Sequence, residues 1–67
     1  MRYNYQYTLY EEDGSKTQMV SHSFDKPLDA MNYARALADE SGSIVNMSYI
    51  GGKWRAVPSA LRAKGYK

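Results

Sequence analysis

Residues 2–10, Arg-Tyr-Asn-Tyr-Gln-Tyr-Thr-Leu-Tyr, alternate with a period of two, and that alternation restricts this chain more than any other feature. Successive side chains of a strand point to opposite faces. Tyr3, Tyr5, Tyr7 and Leu9 therefore share one face, while Arg2, Asn4, Gln6, Thr8 and Tyr10 share the other. The residues are good β-formers, and the segment reads as a half-buried strand. Asp13-Gly14 follows, a pair that favours a two-residue hairpin turn because it tolerates positive φ. With that turn Glu12 pairs with Ser15, Glu11 faces Lys16, Leu9 faces Gln18, Tyr7 faces Val20, Tyr5 faces His22 and Tyr3 faces Phe24. A longer loop shifts the register by one.

A helix is expected next. Pro27 suits a first helical position, where its missing N–H costs nothing, and Asp29 falls in the first turn, where the helix dipole favours negative charge. Ala30, Met31, Ala34, Leu37 and Ala38 recur at three- and four-residue spacing as one apolar stripe, with Asn32, Arg35 and Asp39 away from it. Gly42 supplies the left-handed cap. Lys26 is a poor N-cap, so Asp25 takes that role if the start moves by one.

Ile44–Ile50 reads as a third strand, Gly51-Gly52 as a two-residue turn, and Lys53–Val57 as a fourth strand. That turn sets Tyr49 opposite Trp54 and Met47 opposite Ala56, on the same face as Val45. Ile44, Asn46, Ser48, Ile50, Lys53, Arg55 and Val57 take the other face. Pro58 ends the strand. Residues 59–67 form either a short helical turn, capped by Ser59 and closed by Gly65, or a flexible basic tail. The expected fold is α+β, in the order ββαββ, with one helix on one face of a mainly antiparallel four-stranded sheet.

At 67 residues the chain is one domain with one modest core. It has no cysteine, hence neither a disulfide nor a thiolate zinc site, and a reduced cytoplasm suits it. It has no apolar run of membrane-spanning length and no secretory h-region, so a soluble protein without a membrane role is expected.

Catalytic chemistry is hard to assemble from these residues. His22 is the only histidine, and the hairpin register turns it inward as a packed residue. Its neighbours Ser21 and Ser23 point to the opposite face and cannot form a dyad with it. Glu11-Glu12-Asp13 lies at a hairpin tip, and Asp39-Glu40 ends a helix facing water. Gly51-Gly52 lacks the lysine and helix start of a phosphate loop. The expectation is a non-enzymatic protein with no cofactor and no metal.

Charge gives the remaining clue. The net charge is only +2, yet every acid lies between Glu11 and Glu40, whereas Lys53, Arg55, Arg62, Lys64 and Lys67 follow Ser41 with no acid among them. A basic C-terminal third favours an acidic surface or a phosphate backbone. The candidate partner-binding residues are Tyr10, Lys53, Arg55, Arg62, Lys64, Tyr66 and Lys67. Arg55 ranks first, because it shares the open face with Ser48, Asn46 and Tyr10, and arginine beside tyrosine is typical of interface anchors. The seven tyrosines and the basic C-terminal third also raise the alternative of a small RNA- or single-stranded-DNA-binding domain, with bases stacked on the rings. That reading needs Tyr3, Tyr5 and Tyr7 on the uncovered face. A core position is favoured, because the helix stripe is small and leaves room for rings.

The layout resembles small phage-encoded inhibitors of host machinery, including the compact anti-CRISPR proteins of type I systems and the short host RNA polymerase inhibitor of T7-like phages. The residues that carry this are the N-terminal hairpin, Pro27-Leu28-Asp29-Ala30 with Ala34 and Ala38, then Gly42-Ser43-Ile44-Val45 and Gly52-Lys53-Trp54-Arg55-Ala56. The resemblance implies a stoichiometric blocker of a host protein complex in the host cytoplasm, without cofactor or turnover. Apart from the resemblance, a third reading is a housekeeping module whose binding face serves self-association, so the chain is expected to be a monomer or a dimer paired along a sheet edge.

Overall fold

The computed structural model describes residues 2–65. Its elements are β1 (Tyr3–Tyr10), β2 (Lys16–Phe24), α1 (Pro27–Ser41), β3 (Ile44–Tyr49), β4 (Gly52–Ala56) and α2 (Ser59–Ala63). The four strands form one antiparallel sheet in the order β2-β1-β3-β4, with α1 across one face. The hairpin–helix–hairpin order thus produces the expected α+β architecture, and the crossover through α1 sets β3 beside β1.

The first hairpin keeps the expected pairing from Tyr3↔Phe24 to Leu9↔Gln18, but reaches it by another route. Glu11 N–H donates to the Ser15 carbonyl and Gly14 N–H to the Glu11 carbonyl, so the loop is Glu12-Asp13-Gly14, with Gly14 at φ +94°. Asp13 Oδ1 accepts from the Ser15 N–H and hydroxyl, at 2.9 and 2.7 Å, and these bonds hold its carboxyl below the usual range. The three-residue loop offsets the register by one, and Tyr10 rather than Glu11 faces Lys16. An extra residue at Thr17 then restores the offset, its hydroxyl donating to the Leu9 carbonyl at 3.3 Å.

The second hairpin departs further. Tyr49 pairs with Gly52, Ser48 with Lys53, Met47 with Trp54 and Val45 with Ala56, so the turn is Ile50-Gly51. Ile50 leaves the strand, and Val57 falls beyond it. Gly52, at φ +144°, carries the conformation that side-chain-bearing residues avoid. The displacement from the expected pairing is two residues, an even number, which keeps each side chain on its expected face.

Helix α1 begins at Pro27 and ends at Gly42 (φ +69°), whose N–H donates to the Ala38 carbonyl at 2.8 Å. Lys26 stands at the N-cap and no side chain caps the helix there, so the start does not move back and Asp25 does not cap. Ala30, Ala34 and Ala38 are fully buried, and Met31, Tyr33 and Leu37 pack at their margins. The small stripe lets the helix settle onto the rings of β1. Tyr5 and Tyr7 are buried with Leu9, Val45, Met47 and Ala56. The Tyr7 hydroxyl donates to the Ala30 carbonyl at 2.9 Å, tying β1 to the helix. Burial pushes the Tyr7 phenol up to about 12, with Tyr33 and Tyr5 adding to the effect.

Three inner-face residues differ from expectation, the first being Tyr49, which is 38% exposed at the end of β3 beside the turn. Tyr3 is 42% exposed, because it lies where the sheet runs past the start of the helix. His22 is exposed rather than packed inside, because β2 is an edge strand that the helix covers only in part. Its ring stacks on Phe24 (4.6 Å between centroids) and leans on Tyr33 (4.9 Å), and both join an aromatic row with Tyr7 and Tyr5. Contacts of this kind contribute about 0.5–1.5 kcal/mol each beyond area burial.

Candidate functional site

The open face of the sheet is polar and bonded within itself. Ser23 Oγ donates to Asn4 Oδ1 at 2.6 Å, and Arg2 Nη2 donates to the Ser23 carbonyl at 2.8 Å. Met19 interrupts this polar character, at 58% exposed. At the far end of the same face Tyr10 pairs with Ile44, and Asn46 pairs with both Thr8 and Arg55. Ile44 was expected to face solvent but is buried. It lies in a depression of about 170 Å³ that Tyr10, Asn46 and Arg55 line together with Glu11 and Gly14 of the hairpin tip. The bulge at Thr17 increases strand twist, and the tip curls toward this face.

The C-terminal segment has a defined place. Residues 59–63 are the helix α2, with Pro58 rather than Ser59 at the N-cap and Gly65 N–H donating to the Arg62 carbonyl. The cap comes from elsewhere in the chain. Asp39 on α1 accepts from the Ser59 N–H at 2.9 Å and from its hydroxyl at 3.1 Å. The bond from the Ser59 N–H, then that from its hydroxyl, holds the Asp39 carboxyl below its usual range against a small opposing desolvation, and Arg62 adds to the lowering. Asp39 therefore anchors α2 rather than simply facing water. Leu61 is buried, and Pro58 is buried with it.

With α2 anchored, a cleft of about 240 Å³ opens beside β4, lined by Arg35, Asp39, Trp54, Arg55, Ala56, Val57 and Arg62. The Arg35 guanidinium carbon lies 5.3 Å from the Trp54 ring centroid, a cation–π arrangement, and Arg35 Nη1 donates to Asn32 Oδ1. Arg62 Nη2 donates to Ser59 Oγ. Three arginines against one aspartate leave this lining with a net charge of +2.

Of the residues proposed from sequence, Arg55 and Arg62 meet in this cleft, and Tyr10 and Arg55 meet in the neighbouring depression. Lys53 precedes Arg55 on the open face of β4, opposite Ser48. Lys64 is exposed in the turn after α2 and lines neither recess. Tyr66 and Lys67 lie outside the described residues. Sequence reasoning left out Arg35 and Trp54 as site residues. Their only signal was negative: Arg35 lay off the apolar stripe, and nothing in the linear order linked it to residues 54–62.

A second recess, of about 290 Å³, lies at the opposite end of the sheet between Tyr3, Tyr5, Pro27, Tyr49, Ile50 and Gly51. It is apolar, and Ile50 at its lip is 94% exposed. Among the described residues no three histidine, acidic or cysteine side chains are grouped to hold a metal ion, and no helix is long and apolar enough to cross a membrane. Comparison with protein-family models, curated proteins and solved structures finds no match.

Proposed function

We propose that this chain is a non-catalytic binding protein that engages an acidic surface of a partner protein through the arginine cleft beside β4. In this reading it acts stoichiometrically in the cytoplasm, occupying a functional surface of a host protein complex as the phage inhibitors it resembles do. The observation that carries the proposal is the placement of Arg35 and Arg62 beside Trp54 at one sheet edge, with Arg55 next to it on the adjoining open face. Arginine and tryptophan are the residue types that anchor interfaces, because a planar cation and a large ring bury much area at few rotatable bonds.

Nucleic acid is the competing ligand, since phosphates also seek guanidinium groups. Non-specific single-strand binding combines cations with open ring faces. Here Tyr5 and Tyr7 are buried under α1, and Arg35 already covers one face of Trp54. The most exposed tyrosines among the described residues, Tyr3 and Tyr49, line the recess at the opposite end from the arginine cleft, and Tyr10 is the one tyrosine among them that shares a recess with Arg55. The geometry thus favours an acidic protein.

The test is affinity capture from bacterial lysate, with and without nuclease, comparing the natural chain with an Arg35→Ala/Arg55→Ala/Arg62→Ala variant. The expected result is a protein partner retained after nuclease and lost with the variant. Recovery of nucleic acid alone, or a partner held equally by the variant, would overturn the proposal.

A further inference from the structure

We infer that the β4 edge takes an extended acidic segment of the partner as a fifth strand, with an acid–apolar–acid pattern centred opposite Trp54. This rests on the reading above and names the form of the partner. Strand β4 closes one side of the sheet and, among the described residues, pairs with β3 alone. An edge strand presents unpaired main-chain donors and acceptors, which an extended peptide can satisfy. The arginine cleft opens along this margin, so a strand laid there runs beside Arg35 and Arg62.

The pattern follows from the pleat. Residues directly paired across two strands project to the same face. Lys53 and Arg55 lie on the open face, paired with Ser48 and Asn46, whereas Trp54 lies on the helix face, paired with Met47. A fifth strand therefore sets two side chains opposite Lys53 and Arg55, and the one between them beside Trp54. Opposite charge is favoured at the first two positions. An apolar side chain is favoured at the third, where it packs on the half-buried indole. The alternation is the same for parallel and antiparallel addition.

Charge also decides between occupants. A second copy pairing β4 with β4 about Trp54 would bring Lys53 of each chain opposite Arg55 of the other, and like charges directly opposed destabilise a pair. The other sheet margin, β2, has no charged residue from Thr17 to Phe24 and is kinked by the extra residue at Thr17. It offers an acidic strand little attraction, and a bulge is a common guard of an edge.

The experiment uses the full chain and a synthetic peptide with a central Glu-Val-Glu-Val-Glu run. Trp54, the only tryptophan, reports binding by its emission. Controls are the same peptide with lysine for glutamate, one N-methylated at every amide of the central run, and a nine-nucleotide oligothymidine. N-methylation keeps the charge and the side chains but removes the amide donors that strand pairing needs, whichever way the strand runs. The inference expects binding of the glutamate–valine peptide, a loss of roughly tenfold or more with N-methylation, and slowed amide exchange over residues 52–56. In a Lys53→Glu/Arg55→Glu variant, preference should pass to the lysine peptide, a reversal that a merely damaged fold would not produce. Equal binding of the N-methylated and unmethylated peptides would overturn strand addition while leaving acidic docking intact. Failure of the glutamate–valine peptide to bind, or tighter binding of the oligonucleotide, would also overturn the inference. Failure of the arginine-dependent capture, by contrast, strikes the underlying reading.

Discussion

Replacing Tyr7 by phenylalanine removes one oxygen from the most buried ring in the sheet and tests how β1 is joined to α1. The Tyr7 side chain is 0% exposed, and its hydroxyl donates to the Ala30 carbonyl at 2.9 Å. That carbonyl also accepts a bond within the helix, so the substitution leaves no orphaned acceptor, and the ring keeps its volume. The expected loss is that of one neutral buried hydrogen bond, about 0.5–1.5 kcal/mol. A domain of this size has roughly 3–5 kcal/mol of net stability. One kcal/mol corresponds to about 4–8 °C in Tm, so thermal unfolding followed by far-ultraviolet circular dichroism should resolve the change. Tyr3→Phe, at a residue 42% exposed, should melt like the parent.

The same pair of chains differs in alkali. Because the folded Tyr7 phenol is pushed from the ordinary 10 up to about 12, its contribution is fully present below pH 10 and is lost as pH rises through about 12. Tyr7→Phe should remove that part of the alkaline loss. Parental melting of Tyr7→Phe, or a larger loss in Tyr3→Phe, would refute the hydroxyl bond as the tie between β1 and α1.

Three further outcomes follow from the packing. Ala34→Leu forces extra methylenes between α1 and the buried rings, where Ala34 is fully buried, and should lower stability by about 1–3 kcal/mol in urea unfolding; a neutral result would mean the helix is not seated on the sheet. Gly42→Ala imposes a side chain at φ +69° and should cost about 1–2 kcal/mol by the same measurement, although no atom lies within 4 Å of the added Cβ. The Asp39 carboxyl is held below its usual range, so its bonds to Ser59 persist above the ordinary carboxylate value and are lost as pH falls through the lowered one. Amide protection of residues 59–63 should then fall in acid and be reduced at neutral pH in Asp39→Ala; unchanged protection would sever the link between α1 and α2.

The local grammar of the chain was legible. Alternation in residues 3–9 gave the buried face, Pro27 and Gly42 bounded the helix, and the alanine stripe anticipated a close approach of helix and sheet. What escaped depended on choices the linear pattern leaves degenerate. Two adjacent glycines offer either position to the turn, and Ile50-Gly51 took it, leaving the positive φ to Gly52. The loop and the extra residue at Thr17 shift the register in opposite senses, so a shorter turn gives the same pairing over most of the hairpin. The site was half legible. Arg55 and Arg62 stood out in a basic segment, whereas Arg35 reaches Trp54 through the packing of α1 on the sheet, and Asp39 and Arg62 come together where the Asp39–Ser59 bonds dock α2 against α1. A contact 20 residues long in sequence leaves no local periodicity to read.

Assigning the cleft rather than the tyrosine strand to partner binding depends on where the rings of β1 point. Paramagnetic relaxation by a soluble gadolinium chelate, read on tyrosine ring protons by NMR, measures that directly. Tyr3 signals should broaden strongly, while those of Tyr5 and Tyr7 stay sharp and Tyr7 shows cross-relaxation to Tyr33, whose ring centroid lies 5.0 Å away. Broadening of all three alike, with no Tyr7–Tyr33 cross-peak, would put the aromatic strand in water and return it as the binding surface.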